Sequence, residues 1–296
     1  MSSKTRNLGR AALFLASLLW GLSFVAMKNV LASIPPLYIL TFRFCGAALI
    51  LLPACIRKIR VIDRSYIRGG VLMGLALLAA YIFQTYGLRY TTPGKNAFLT
   101  SAYCVIVPFL YWLVIKKKPD KYNASAAIIC VAGIGLITVD GNLSVGLGDA
   151  LTIACGFFFA LHIILTARYI EGRDPVTLAM LQFAAAGITA LAAALIFEQL
   201  PQRVPAADIW TMTFLTVIST ATCLLLQVFG QKYTPPSQAA VIMTFESVFG
   251  ALSSVILYRE IMTFRLIAGF ALTFAAVIIS ETKLSFLRKR LGNTAQ

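Results

Sequence analysis

Apolar runs of about twenty residues alternate with short polar segments along the whole chain. Ten such runs fall near residues 11–32, 37–56, 67–88, 94–115, 123–139, 147–168, 175–197, 208–230, 236–258 and 264–281. About 20 apolar residues in a helix cross the hydrocarbon core of a bilayer. Lipid cannot satisfy an open backbone, and the runs are too long for barrel strands, so each run is predicted to be a helix. The class expected is an all-α membrane protein with ten transmembrane helices. Nine short connections and two tails use up the remaining residues and leave no room for a soluble domain.

Prolines punctuate this pattern. Pro36, Pro93, Pro175 and Pro236 stand at run starts, where a missing backbone N–H costs least. Pro119, Pro201 and Pro205 fall in connections. Pro108 is taken as the one mid-run proline; it should free the Cys104 carbonyl and bend the fourth helix. It is the candidate hinge, although a static kink is the simpler role. Gly70 and Gly74 form a GxxxG spacing that close helix packing explains.

Composition agrees. Of 296 residues, 59% are hydrophobic and 12% charged, and mean hydropathy is +0.83. Soluble domains are about a quarter charged, so a cytosolic enzyme, a disordered tail and a secreted disulfide scaffold are excluded. The formal charge of +15 would suit nucleic acid, but the basic residues sit between apolar runs rather than in a folded basic domain. With the N-terminus inside, 19 of the 26 Lys and Arg fall in inner segments and six in outer ones, Arg43 lying within a run. Both termini are therefore expected in the cytoplasm, with the positive charge serving topology and contact with anionic lipid. The apolar stretch after Lys4, Arg6 and Arg10 is too long for a signal-peptide core and reads as an uncleaved first span. The six cysteines form no C-x-x-C pair and read as small apolar fillers.

An internal repeat carries the most information. A shift of 139 residues brings Gly9 onto Gly148, Pro36 onto Pro175, Arg43 onto Gln182 and Phe44 onto Phe183. Farther along the shift is 143, and the segment Gln84–Pro93 lands on Gln227–Pro236 with Gln, Gly, Tyr, Thr and Pro coinciding. The division expected is 1–140 as a first five-helix unit, 146–283 as a second, and 284–296 as a basic cytoplasmic tail. Five is odd, so the second unit enters the membrane from the opposite face. An inverted 5+5 repeat places a site near the bilayer midplane and permits alternating access.

The segment Leu19-Trp20-Gly21-Leu22-Ser23-Phe24-Val25-Ala26-Met27-Lys28 resembles the drug/metabolite transporter superfamily, its EamA branch in particular. So do Arg43-Phe44, the Tyr90-Thr91 turn before Ala97-Phe98-Leu99, and glycines such as Gly133 and Gly269 in the last span of each half. The resemblance covers nearly the whole chain. It implies export of amino acids, metabolites or drugs, with some relatives importing. It also implies that spans one, three and four, with mates six, eight and nine, line a central cavity.

Ionisable residues deep in a span are costly, and they face a cavity or a partner. Arg43, His162 and Glu246 are such residues. Glu246 shares a helical face with Ala239, Met243, Gly250 and Ser253. It is the candidate for the coupling proton or for a cationic substrate group; the plain alternative is a carboxyl that only packs. Its repeat mate is Tyr103, on a face with Asn96 and Thr100. Arg43 could clamp a carboxylate, but a structural tie to backbone or loop is the favoured role. Trp20 and Phe24 on span one, Phe159 and His162 on span six, and the mates Gln84 and Gln227 complete the candidate lining, with helix packing and helix–helix hydrogen bonding as the alternatives.

The expected protein is thus an inner-membrane secondary transporter, an exporter of a small organic solute. Its partners are that solute and the lipid bilayer, with the energy drawn from a proton gradient or from the solute's own gradient; no nucleic acid, cofactor or metal is expected, and no oligomeric state is assigned. An importer of the same fold is the nearest alternative. An intramembrane hydrolase using Ser23 and His162 is a distant one, because Gly21-Leu22-Ser23-Phe24 lacks the glycine after serine. No Gly-rich phosphate loop is present, so ATP-driven transport by this chain alone is unsupported.

Overall fold

A computed structural model describes residues 3–56, 58, 62–116, 118–138 and 145–282. The expected basic tail 284–296 and part of the junction between the two units lie outside the described residues. Among the described residues the chain is helical between turns, with no strand. The helices are α1 (Ser3–Val30), α2 (Pro36–Ile56), α3 (Arg64–Tyr90), α4 (Pro93–Thr100), α5 (Tyr103–Ile115), α6 (Lys121–Thr138), α7 (Leu147–Ile170) and α8 (Pro175–Phe197). Then follow α9 (Ala206–Phe214), a π-helical segment Leu215–Thr222, α10 (Cys223–Tyr233), α11 (Pro236–Met243), α12 (Phe245–Ser253), a second π segment Ser254–Tyr258, and α13 (Phe264–Thr282).

Local chemistry sets these boundaries. Asp63 caps α3 by accepting from the Tyr66 amide, and Thr92 caps α4 just ahead of Pro93. Asp174 caps α8 ahead of Pro175, accepting from the amide and the hydroxyl of Thr177. Each cap satisfies a first-turn donor that the helix cannot. Lys116 ends α5 in the left-handed conformation, with φ of 63°.

Among the described residues eight helical stretches are long and apolar enough to cross a membrane; α6 and α13 contribute shorter apolar segments, Lys121–Ile137 and Phe264–Ile279. Large apolar side chains point outward in many places, Phe264 at 86% exposure and Ile196 at 73% among them, as befits a lipid-facing surface. Pro53 also lies inside a helix, close to the end of α2, so Pro108 is not the sole proline within a run.

The fourth and ninth runs are not continuous helices. The fourth breaks at Ser101–Ala102 and the ninth at Thr244, 143 positions after Ser101. Ser101 Oγ donates to the Phe98 carbonyl, and Thr244 Oγ1 to that of Val241. Such back-bonding competes with the helical ladder and loosens it locally. Position 251, the counterpart of Pro108, is alanine, so the second break forms without a proline.

Packing follows the repeat: mates α2 and α8 lie on each other, as do α6 and α13, while α3 on α7 and α1 on α10 are repeat-related contacts. Phe44 and Phe183, repeat mates, are both fully buried, with ring centroids 6.5 Å apart. Small residues let the backbones approach. A Cβ on Gly87 would stand 2.9 Å from the Gly148 carbonyl oxygen; on Gly230 it would stand 2.8 Å from that of Gly9. These are the same contact made twice, since Gly9 and Gly87 are the mates of Gly148 and Gly230. Gly70 and Gly74 serve as the spacing suggests, letting α3 close on Leu181 and Gln182 of α8. All six cysteines are free thiols, five of them buried.

Candidate functional site

A cavity opens among α1, α2, α3, α5, α7, α10, α11 and α12. Glu246 and Tyr103 occupy matching places in its wall. Each stands in the first turn of a helix that restarts after a break, Glu246 in α12 and Tyr103 in α5, and both are buried. The Tyr103 hydroxyl is turned toward the Glu246 carboxyl. The first turn of a helix is where the backbone dipole favours negative charge, so the break gives a carboxylate a tolerable place deep in the bundle.

Arg43, buried on α2, forms another part of the wall. Its Nε donates to Thr220 Oγ1 at 2.8 Å and its Nη2 to Ser219 Oγ at 3.2 Å. Its guanidinium lies 4.7 Å from the centre of the Tyr81 ring, a cation–π distance. The π segment supplies both hydroxyls, and Thr220 Oγ1 in turn donates to the Leu215 carbonyl five residues back. Arg43 is therefore a tie between α2 and the π segment, and it faces the cavity as well.

Aromatic rings line much of the rest. Trp20 and Phe24 come from α1, with Trp20 Nε1 donating to the Ser219 carbonyl at 2.8 Å. Phe159 of α7 packs edge-on against Tyr81, centroids 5.4 Å apart, and leans on Tyr103. Gln84 and Gln227 reach the cavity too; Gln84 donates to Thr100 Oγ1 and Gln227 to Gln231 Oε1. Asn96 and Thr100 stand just behind Gln84: the Asn96 amide donates to the Gln84 carbonyl and to Thr152 Oγ1.

Four expected residues are outside this lining: Asn96 and Thr100 behind Gln84, then His162 and Pro108. His162 is fully buried, its Nε2 3.0 Å from Gln182 Oε1 and near the Thr166 hydroxyl. Ser23 does line the cavity, but its hydroxyl donates to the Trp20 carbonyl, so the serine and the histidine are engaged in separate contacts. Pro108 lies within α5, downstream of the break and outside the lining. Tyr81, Thr85 and Leu88 were not anticipated. With Gln84 they follow the 3- and 4-residue spacing of one α3 face, a signal the sequence did carry.

The two ends of the bundle are tied by polar groups. At one end Lys95 pairs with Asp149, Lys28 donates to three carbonyls around residues 88–91, and Glu260 accepts from Thr92, Ser254 and the Gly94 amide. At the other end Lys58 pairs with Asp174, Arg173 bonds Ser65, and Arg10 reaches Gln238. Lys58 raises its own pKa by donating to Asp174. Burial alone would push the Asp174 carboxyl up, but hydrogen bonds from Lys58 and Thr177 outweigh it and hold the carboxyl below its ordinary range.

Known proteins bear on this arrangement. The EamA-like transporter family matches twice, at residues 7–139 and 146–282. The chain is 32% identical over 269 residues to an uncharacterized transporter of Archaeoglobus fulgidus, covering 90% of this chain and 84% of that one. It is 21% identical over 287 residues to the uncharacterized transporter YoaV of Bacillus subtilis, covering 93% and 96%. A solved structure, described only as a crystal structure of a protein, superposes with a TM-score of 0.73 at 14% identity, covering 97% of this chain and 99% of that one. At that identity the likeness concerns the fold alone.

Proposed function

The chain belongs to the EamA-like transporter family, and from that premise we propose a secondary transporter that exports a small organic solute, such as an amino acid or metabolite, by alternating access. It is a multi-pass membrane protein. In the proposed arrangement ten helices form two inversely inserted units of five, spanning the inner membrane with both termini in the cytoplasm. Solute binds in the cavity between the units, against Trp20, Phe24, Phe159, Gln84 and Gln227, with Asn96 and Thr100 supporting Gln84. Glu246 takes up and releases the coupling proton, and Tyr103 faces it from the other unit.

The observation that carries this reading is the mirrored break. Discontinuous helices at equivalent points of two repeats are how transporters place polar groups at midplane depth. Here the breaks at Ser101 and Thr244 deliver Tyr103 and Glu246 to one cavity. A buried carboxyl that gains and loses a proton differs in affinity for solute between its two forms, which is what coupling requires.

Purified protein in liposomes tests the reading. A pH gradient is expected to drive flux of labelled amino acids or related metabolites, and Glu246→Gln to abolish the pH dependence. Unaltered coupling in that variant would remove the proton role. In a cysteine-free background, Tyr90→Cys and Tyr233→Cys should be labelled from opposite sides; labelling from one side would end the inverted arrangement.

A further inference from the structure

Arg43 is a buried cation whose contacts are all neutral. Thr220, Ser219, the Met27 sulfur and the Tyr81 ring surround it, and among the described residues no carboxylate is within ion-pair reach. Taking a guanidinium out of water is costly unless its charge is met by an opposite one. Glu246 lines the same cavity but does not close on Arg43. The hydroxyls fix the orientation of the guanidinium and leave its charge uncompensated. Its five N–H donors also exceed the partners present.

The repeat makes this local and specific. The mate of Arg43 is Gln182, which is neutral. The counterpart of the π segment in α3 includes Ala76–Leu78, which offers no hydroxyl. The π segment places Ser219 and Thr220 beneath Arg43. The first unit thus supplies the cation and the second the cradle that aims it, while the repeat-related pair, Gln182 with Ala76–Leu78, has neither. Single π turns often mark functional sites.

We infer that Arg43, oriented by Ser219 and Thr220 and backed by Tyr81, is the subsite for an anionic group of carboxylate geometry on the transported solute. A planar guanidinium fork matches a carboxylate in two-point contact, which a lysine cannot reproduce. The apolar body of the solute then packs on Trp20 and Phe159. This inference rests on the transporter reading for the solute's passage, but the binding step stands by itself.

The test uses the full chain in detergent, with phenylacetate, 4-methylpentanoate, phenylalanine and leucine, each beside its primary amide, followed by thermal shift. A ligand of the folded state raises the melting temperature by mass action. At least one acid should bind at least tenfold more tightly than its amide. Arg43→Gln should weaken that acid tenfold or more and erase the acid–amide difference, with Arg43→Lys between the two. If Arg43→Gln does not fold, the pair Ser219→Ala and Thr220→Ala should weaken the acid severalfold and leave the amide unchanged. Equal binding of acids and amides, acid binding indifferent to these variants, or no acid binding at all would overturn the subsite. An acid held through Arg43 but not carried across liposomes would leave the subsite standing and remove the transport reading. Carriage of neutral amides at the rate of their acids would do the reverse.

Discussion

Lys95 Nζ lies 3.0 Å from Asp149 Oδ2, tying the first turn of α4 to the first turn of α7. The equivalent positions of the other unit are Gln238 and Arg10, joined by an exposed 3.3 Å hydrogen bond. At this repeat-related position one end of the bundle has a largely buried ion pair and the other a charge–amide contact. Asp149 also accepts from Thr91, so an amide in its place leaves one of the two donors facing another donor and Lys95 without its counter-charge. Asp149→Asn is expected to destabilise by roughly 2–3 kcal/mol, short of the cost for a fully buried pair because Lys95 retains some exposure. Gln238→Ala should cost under about 1 kcal/mol. Melting temperatures of the two variants in one detergent check the ordering; equal losses would refute it.

Acid should weaken the tie between Lys58 and Asp174. The Asp174 carboxyl sits below its ordinary range when folded, so its contribution is complete above the unfolded value and is lost as pH falls through the folded one. The Lys58 ammonium sits above its ordinary range, so its share is complete below the unfolded value and is lost as pH rises through the folded one. The melting temperature of the wild type is expected to fall between about pH 5 and about pH 2, and Asp174→Asn to flatten that fall. A variant with the same slope would show that other carboxyls govern it.

Two glycine-to-alanine changes should act in opposite directions. A Cβ on Gly230 would come within 2.5 Å of Leu13 Cγ as well as against the Gly9 carbonyl, and backbone cannot yield there. Gly230→Ala is expected to cost about 1–3 kcal/mol through overpacking. Gly135 in α6 meets nothing within 4 Å. Gly135→Ala should be neutral or stabilise by roughly 0.5–1 kcal/mol through helix propensity. Thermal unfolding of the pair decides; a loss at Gly135 would reveal a contact absent from the monomer.

Glu198 accepts from the amides of Leu37 and Tyr38 and from the Tyr86 hydroxyl. It thereby caps the start of α2 from the end of α8 and anchors α3 as well. Glu198→Ala is expected to lower stability by roughly 1–2 kcal/mol, the scale of a lost charged cap. Glu198→Gln should recover part of this by keeping an acceptor. Faster proteolysis near residues 36–38 in the alanine variant would localise the effect.

Much of the architecture can be read from the residues. The run predicted at 175–197 coincides with α8, because Asp174 and Pro175 mark its start by capping chemistry that a sequence displays. The helix breaks cannot be read this way. Ala97 through Ile115 is almost uniformly apolar, and a single Ser101 or Thr244 looks like a tolerated polar residue until its hydroxyl is seen bonded to the carbonyl three residues back. The candidate site divides similarly. Glu246, Tyr103 and Trp20 were legible as polar or aromatic residues at repeat-related depths. His162 was not separable from them, since depth alone cannot tell a cavity from a helix seam, and its partner Gln182 comes from another helix. Tyr81 was overlooked because an aromatic on an apolar face resembles ordinary packing.

The π winding at Leu215–Thr222 makes the spacing of the chain itself an instruction. Each helical residue advances the side chains by about 100°. Deleting one position there would restore an ordinary helix and swing everything after it through that angle. Gln227 would then turn out of the pocket while the composition of the segment barely changed.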